Sequence, residues 1–111
     1  VYLERGYSIA LVNYTGSTGF GDAGVDKLVK DGQTGLLDVA DCIACLDLVL
    51  AANPSIRKVH LSGGSHGGYL GAILSSRYPD RFATVTLLNP VISVVGMTLV
   101  SDISDYEWAI Y

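Results

Sequence analysis

The stretch Gly63-Gly64-Ser65-His66-Gly67-Gly68 constrains this chain more than any other. It follows Arg57-Lys-Val-His-Leu-Ser62, which reads as a strand, and precedes Tyr69 to Tyr78, which reads as a helix stopped by Pro79 because the residue before proline disfavours the helical conformation. G-x-S-x-G between a strand and a helix is the nucleophile-elbow pattern: the turn is so sharp that its serine takes strained dihedrals and presents its hydroxyl above the sheet. Gly63 and Gly67, two before and two after Ser65, are expected to leave room where a Cβ would collide with the neighbouring strand or helix. The backbone N–H of His66, at the first helical turn, is then placed to donate to a developing oxyanion. A plain flexible turn would need neither the flanking elements nor glycine at both positions. A phosphate loop would need a Lys-Ser/Thr pair after the glycines, and none follows.

The segments around this turn alternate. Ser8 to Asn13 is a short apolar run between Gly6 and Gly16, the pattern of a parallel strand buried on both faces. Tyr14 to Thr34, rich in Gly, Asp and Thr, reads as one long loop, and loops of that length in a compact domain tend to be functional. From Gly35 to Ala52, Val39, Ile43, Leu46 and Leu50 fall on one helical stripe expected to cover a sheet, with Asp38 and Asp41 near the positive end of the helix dipole. Phe82 to Leu88 reads as a third strand, and Asn89 onward as a loop without a regular element. Strand, helix, strand, helix, strand is a pair of βαβ units, so the expected fold is α/β with a parallel sheet of three inner strands and two crossover helices.

Composition limits what such a sheet can serve. Of 111 residues, 50% are hydrophobic and 16% charged, against roughly 25% charged in an average soluble domain, so the chain reads as the core of something larger. The net charge of −4, with seven basic residues spread rather than clustered, argues against nucleic acid as a partner. No signal-peptide pattern opens the chain. The uncharged stretch from Phe82 to Ser101 is interrupted by Asn89-Pro90 and by Gly96, which fits a buried strand and loop better than a membrane span. Cys42 and Cys45 form a C-x-x-C in mid-helix, away from a helix N-terminus that would stabilise a thiolate, and no second pair completes a zinc site. They are expected to be reduced, half-buried thiols, and neither a metal nor a cofactor is expected.

Two histidines are present, His60 and His66. His66 adjoins Ser65 and points away from its hydroxyl, so it is not the general base; its side chain is expected to line the crevice at the carboxyl edge of the sheet. His60 lies within the strand, where a packed, hydrogen-bonded role is expected. In this architecture the order is Ser, then Asp or Glu, then His, and no His follows Ser65 other than the adjoining His66. Asp102 and Asp105 read as loop or pocket residues. Gly19-Phe-Gly21-Asp-Ala-Gly24 matches G-x-G-x-x-G, but it neither closes a strand directly nor opens the helical stripe near Gly35, so it reads as a chance match.

Three motifs in register, Asn13-Tyr-Thr-Gly-Ser-Thr-Gly-Phe-Gly21, Gly63 to Gly68, and Asn89-Pro-Val-Ile92, resemble the catalytic domain of the prolyl oligopeptidase family, and specifically its members that cleave blocked peptides. The resemblance covers essentially the whole chain. It implies an α/β-hydrolase domain paired with a β-propeller, cytoplasmic and often oligomeric, acting on N-acylated peptides. By this likeness Ser65 is the acylated nucleophile and His66 N–H one oxyanion donor, the second coming from an upstream His-Gly-Gly-Pro segment. Tyr106 and Trp108 fall where the family places aromatic residues near the pocket for the residue preceding the cut. Where the family reads Asn-x-Arg-Gly, this chain has Thr15, which lacks the planar donor fork of arginine.

These observations lead to one expectation with two alternatives. Residues 1–111 are expected to be the central part of one peptidase catalytic domain of α/β-hydrolase fold, without the propeller and with the triad Asp and His beyond Tyr111. The segment alone is then inactive, since deprotonating the serine needs a base. The alternatives are an esterase or lipase-type hydrolase and a truncated, non-catalytic binding module. Neither nucleic acid nor membrane is an expected partner; a peptide substrate, the rest of the domain and a second copy of the protein are.

Overall fold

The computed structural model describes residues 2–111. The elements run Leu3–Arg5 (a 3₁₀ turn), α1 Asp22–Val29, α2 Leu37–Ala52, β1 His60–Gly64, α3 His66–Arg77, a second 3₁₀ turn at Pro79–Arg81, β2 Thr84–Leu88, α4 Val94–Thr98 and α5 Ser104–Ile110.

The β1–α3–β2 unit anchors the architecture. Its two strands pair in parallel, from His60 opposite Thr84 to Gly64 opposite Leu88, as the βαβ reading requires. The helix between them lies close on the strands because its glycines allow it: a Cβ at Gly71 would run into the Leu87 side chain, and one at Gly68 would lie 2.8 Å from Pro90 Cα. Behind α3 packs α2. Val39 is buried with Leu70 and Leu74 of α3, and Ile43, Leu61, Tyr69, Ile73 and Phe82 close around them. Of the helical stripe read from the sequence, Val39 and Ile43 enter this cluster and face α3, joined by Cys42, which the stripe left out, while Leu46 and Leu50 do not; only Leu61 reaches the cluster from a strand.

Three expectations are corrected. Ser8 to Asn13 is not a strand; among the described residues the sheet has two strands, not three. An extended run gains its hydrogen bonds only beside a strand edge, and here β1 and β2 pair only with each other, leaving Ile9 and Leu11 exposed. The long loop from Tyr14 to Thr34 contains α1, which has Asp22 in its first turn and is closed by an Asp26–Lys30 ion pair of 2.9 Å. The segment after Asn89 holds two short helices, α4 and α5, the first capped by Ser93 Oγ, which accepts from the Gly96 N–H.

The radius of gyration is 15.1 Å, against about 13 Å for a compact chain of this length. Leu11, Leu99 and Val100 are each at least 80% exposed. The scarcity of charge is thus matched by apolar side chains left on the surface rather than by a large core. Among the described residues no helix is long and apolar enough to cross a membrane.

Candidate functional site

The turn at Ser65 has the geometry its sequence demands. Ser65 sits at φ 53°, ψ −119°, a conformation that costs a non-glycine residue on the order of 1–3 kcal/mol and persists only where its surroundings enforce it. The enforcement is visible. Ser65 N–H donates to the Leu88 carbonyl at the end of β2, and the Ser65 carbonyl accepts from Tyr69 N–H in α3, both at 3.0 Å. Its backbone is tied to a strand end on one side and a helix on the other. The side chain is exposed, and Oγ makes no hydrogen bond among the described residues.

The two flanking glycines prove unequal. A Cβ at Gly63 would overlap the Gly67 carbonyl, so Gly63 is required for strand and helix to close on each other. A Cβ at Gly67 would meet nothing within 4 Å. The second steric requirement falls one residue later, at Gly68, where a Cβ would press on Pro90 and lie 3.2 Å from the Leu88 carbonyl oxygen. Just before that proline, Asn89 takes φ 38°, turning the chain out of β2 beside the elbow.

His66 opens α3, where the first N–H groups have no intrahelical partner. Its main-chain N–H bonds no other group among the described residues and points from the same turn as Ser65. Its ring does not line an open crevice as expected. It is half-buried against Tyr14, Tyr69 and Tyr111, with ring centroids at 5.7 Å in each case. Nε2 lies 3.1 Å from Asp38 Oδ2 and Nδ1 lies 2.8 Å from the Tyr111 hydroxyl. With both nitrogens engaged, the ring has none left for the Ser65 hydroxyl, in agreement with its exclusion as general base.

Asp38 is fully buried, and its two oxygens are used: Oδ1 accepts from Val39 N–H at 2.9 Å and Oδ2 faces His66. Burial raises the tyrosines around it. Tyr111 is pushed up to about 12, by burial first and then by Tyr106, Tyr69, Tyr14 and Asp38, while Tyr14 and Tyr69 move upward by burial and then by the Asp38 charge. Sequence reasoning missed Asp38, Tyr14, Tyr69 and Tyr111 as a set. The helical register gave Asp38 a place near a helix start, but not a partner 28 residues away.

His60 is hydrogen-bonded through Nδ1 to Thr84 Oγ1, its neighbour across the ladder, at 2.7 Å; it is exposed, with Tyr7 edge-on to the ring. Tyr106 and Trp108 lie on α5 and are 58% and 65% exposed, whereas Glu107 between them is buried with Oε2 unpartnered. A groove of about 610 Å³ lies elsewhere, lined by Asn13, Thr15, Lys27, Asp41 and Cys45 among others. At its wall Thr15 donates through both N–H and Oγ1 to Asp41 Oδ2, at 2.7 and 2.6 Å, which anchors the loop at the position lacking arginine. The match to G-x-G-x-x-G does open a helix, α1, but with a carboxylate, Asp22, in the first turn where a phosphate would have to sit.

Cys42 and Cys45 are free thiols, and burial followed by the charges of Asp38 and Asp41 pushes Cys42 up to about 11, away from thiolate chemistry. Among the described residues no three His, Cys, Asp or Glu side chains gather as a metal site.

A serine held at positive φ between a parallel strand and a helix, its hydroxyl free, has the geometry of the nucleophile-elbow turn of α/β-hydrolase folds. The sequence pattern of the prolyl oligopeptidase family matches residues 1–111, and the chain belongs to that family. Its curated relatives include the acylamino-acid-releasing enzymes of Mus musculus, 40% identical over 104 residues, Homo sapiens, 37% identical, and Arabidopsis thaliana, 36% identical. These alignments cover 93%, 93% and 91% of this chain, which spans only about 14% of the length of those relatives.

Proposed function

We propose that the protein carrying this segment is a serine peptidase that releases N-acylated amino acids from blocked peptides through an acyl-enzyme at Ser65. The observation that carries the reading is the strained Ser65 with its free hydroxyl, one residue before an N–H without a partner. The substrate class rests on the relatives' names, which describe the release of acylated amino acids.

In this reading Ser65 Oγ attacks the scissile carbonyl carbon as its proton passes to a base, and the His66 N–H donates to the oxygen that becomes negative. The C–N bond then breaks, the amine leaves with a proton, and water releases the acylated residue from Oγ. Neither described histidine is placed to serve as the base: His66 has both nitrogens bound, and His60 sits at the opposite end of β1 from Ser65, with its ring on Thr84. The base and its carboxylate are assigned to residues outside this segment, so the 111-residue chain alone is inactive. Tyr106 and Trp108 are assigned to the pocket for the residue preceding the cut. A cytoplasmic location, a β-propeller alongside the catalytic domain and self-association belong to the same reading.

The test uses the protein carrying this segment, assayed on acetyl-amino-acid anilides and on simple alkyl esters. Turnover of the anilides, abolished by Ser65→Ala, is expected. Turnover of esters alone would favour a lipase-type hydrolase, and turnover by the isolated 111 residues would contradict the assignment of the base.

A further inference from the structure

The elbow residue His66 is held from two directions. Its ring nitrogens reach Asp38 in α2 and Tyr111 just after α5, so a single side chain joins the elbow to two parts of the chain that are 28 and 45 residues away in sequence. Asp38 is 0% exposed, and a carboxylate can only accept hydrogen bonds when ionised, so the proton between them lies on Nε2. Nδ1 is then the acceptor, and the Tyr111 hydroxyl donates to it. The arrangement runs Tyr111 O–H to Nδ1, then Nε2–H to Asp38, with the far carboxylate oxygen closed by Val39 N–H.

The backbone of the same residue carries the N–H that the proposed reaction uses. The N–H of a residue at the first position of a helix has no intrahelical partner to hold it; here the ring on the same Cα is bonded at both nitrogens and packed by Tyr14 and Tyr69, which ties that Cα to α2 and to the end of α5. We infer that Asp38 is a positioning residue: through His66 it fixes the orientation of the peptide N–H beside Ser65 that receives the oxyanion. This rests on the reading of Ser65 as nucleophile. Catalytic donors displaced by about 1 Å lose on the order of a hundredfold in rate, which bounds what the latch can be worth.

The roles can be separated from simple stability. In the protein carrying this segment, nitrogen-detected NMR of the histidines should show His66 as the Nε2–H tautomer; the Nδ1–H tautomer would overturn the inference without any variant. Asp38→Asn should lower kcat per fluorophosphonate-titrated serine by tenfold or more while KM stays within twofold, and Tyr111→Phe, a milder change, should lower it by a few fold. A merely structural role would reduce the number of titratable sites and leave kcat per site unchanged, and that outcome overturns the inference. If Asp38→Asn does not fold, Tyr111→Phe and the wild-type tautomer still decide. Failure of the wild-type protein to react at Ser65 would instead remove the peptidase reading itself, an outcome distinct from a reactive Ser65 that is indifferent to Asp38.

Discussion

Thr15 and Asp41 form a two-pronged contact: the Thr15 amide and hydroxyl both donate to Asp41 Oδ2, at 2.7 and 2.6 Å. The carboxylate of the fifth residue of α2 thus holds the loop that leaves Asn13 through a short side chain. Hydrogen bonds to a charged acceptor contribute about 1.5–3 kcal/mol each, and this one is only part-buried. Thr15→Val, which keeps the amide contact, should destabilise the protein by about 1–2 kcal/mol, and Asp41→Ala by more. A double variant that loses no more than Asp41→Ala alone, measured by denaturant unfolding, would confirm that the contact acts as a unit; purely additive losses would show that it does not.

The glycines of the elbow should behave in an order the pentapeptide does not suggest. Gly68→Ala pushes a methyl into Pro90 and the Leu88 carbonyl and should cost about 1–3 kcal/mol, as overpacking does. Gly67→Ala meets open space at a helical position, where alanine is favoured over glycine by up to about 1 kcal/mol. Thermal melts should therefore rank Gly67→Ala at or above wild type and Gly68→Ala well below. The reverse order would mean that the elbow is not packed against the exit of β2.

Alkaline pH should weaken the fold in a defined window. Cys42 is raised from 9.0 to about 11 and Tyr111 from 10.0 to about 12, in both cases by burial above all, so the folded state holds these protons more tightly than the unfolded chain. Stability falls wherever the folded state binds more protons as pH rises. The contribution is complete below about pH 9 and is lost progressively up to about pH 12. Melting temperatures recorded between pH 8 and 12 should decline over this range, and Cys42→Ala and Tyr111→Phe should flatten the lower and upper parts respectively. Ultraviolet titration should show Tyr111 among the last of the seven tyrosines to ionise.

The core is small enough for one deletion to matter. Leu70 and Leu74 are each 3% exposed and touch Val39 across the α2–α3 interface. Leu70→Ala should cost about 2–5 kcal/mol, read as a lowered denaturant midpoint with unchanged slope. A loss below about 1 kcal/mol would mean that α2 does not depend on this contact.

What the sequence made legible was what short-range rules govern. Strand, serine turn and helix follow from the spacing of glycines around Ser65, and α2 follows from the helical periodicity of Val39, Ile43, Leu46 and Leu50, of which the first two reach the core. The parallel pairing of β1 with β2 follows from the helix between them. The failures are of a different kind. Ser8 to Asn13 has strand composition, but hydrogen bonding needs a neighbour, and no sequence pattern states whether one is beside it. In α1, Gly24 and the glycines before Asp22 masked a helix that its acidic first turn and the Asp26–Lys30 spacing could have signalled. Gly68 was passed over because the steric limit is set by Pro90, which lies 22 residues downstream. The Asp38–His66–Tyr111 link is wholly tertiary: nothing in the periodicity of α2 says that its second residue meets the elbow.

The most direct measurement is labelling of the protein carrying this segment with a fluorophosphonate, with the modified residue located by peptide mass spectrometry. The account predicts one adduct, on Ser65, absent from Ser65→Ala and suppressed by an acetyl-amino-acid substrate. A folded protein that takes up no probe, or takes it up at another serine, would contradict the assignment of Ser65 as nucleophile.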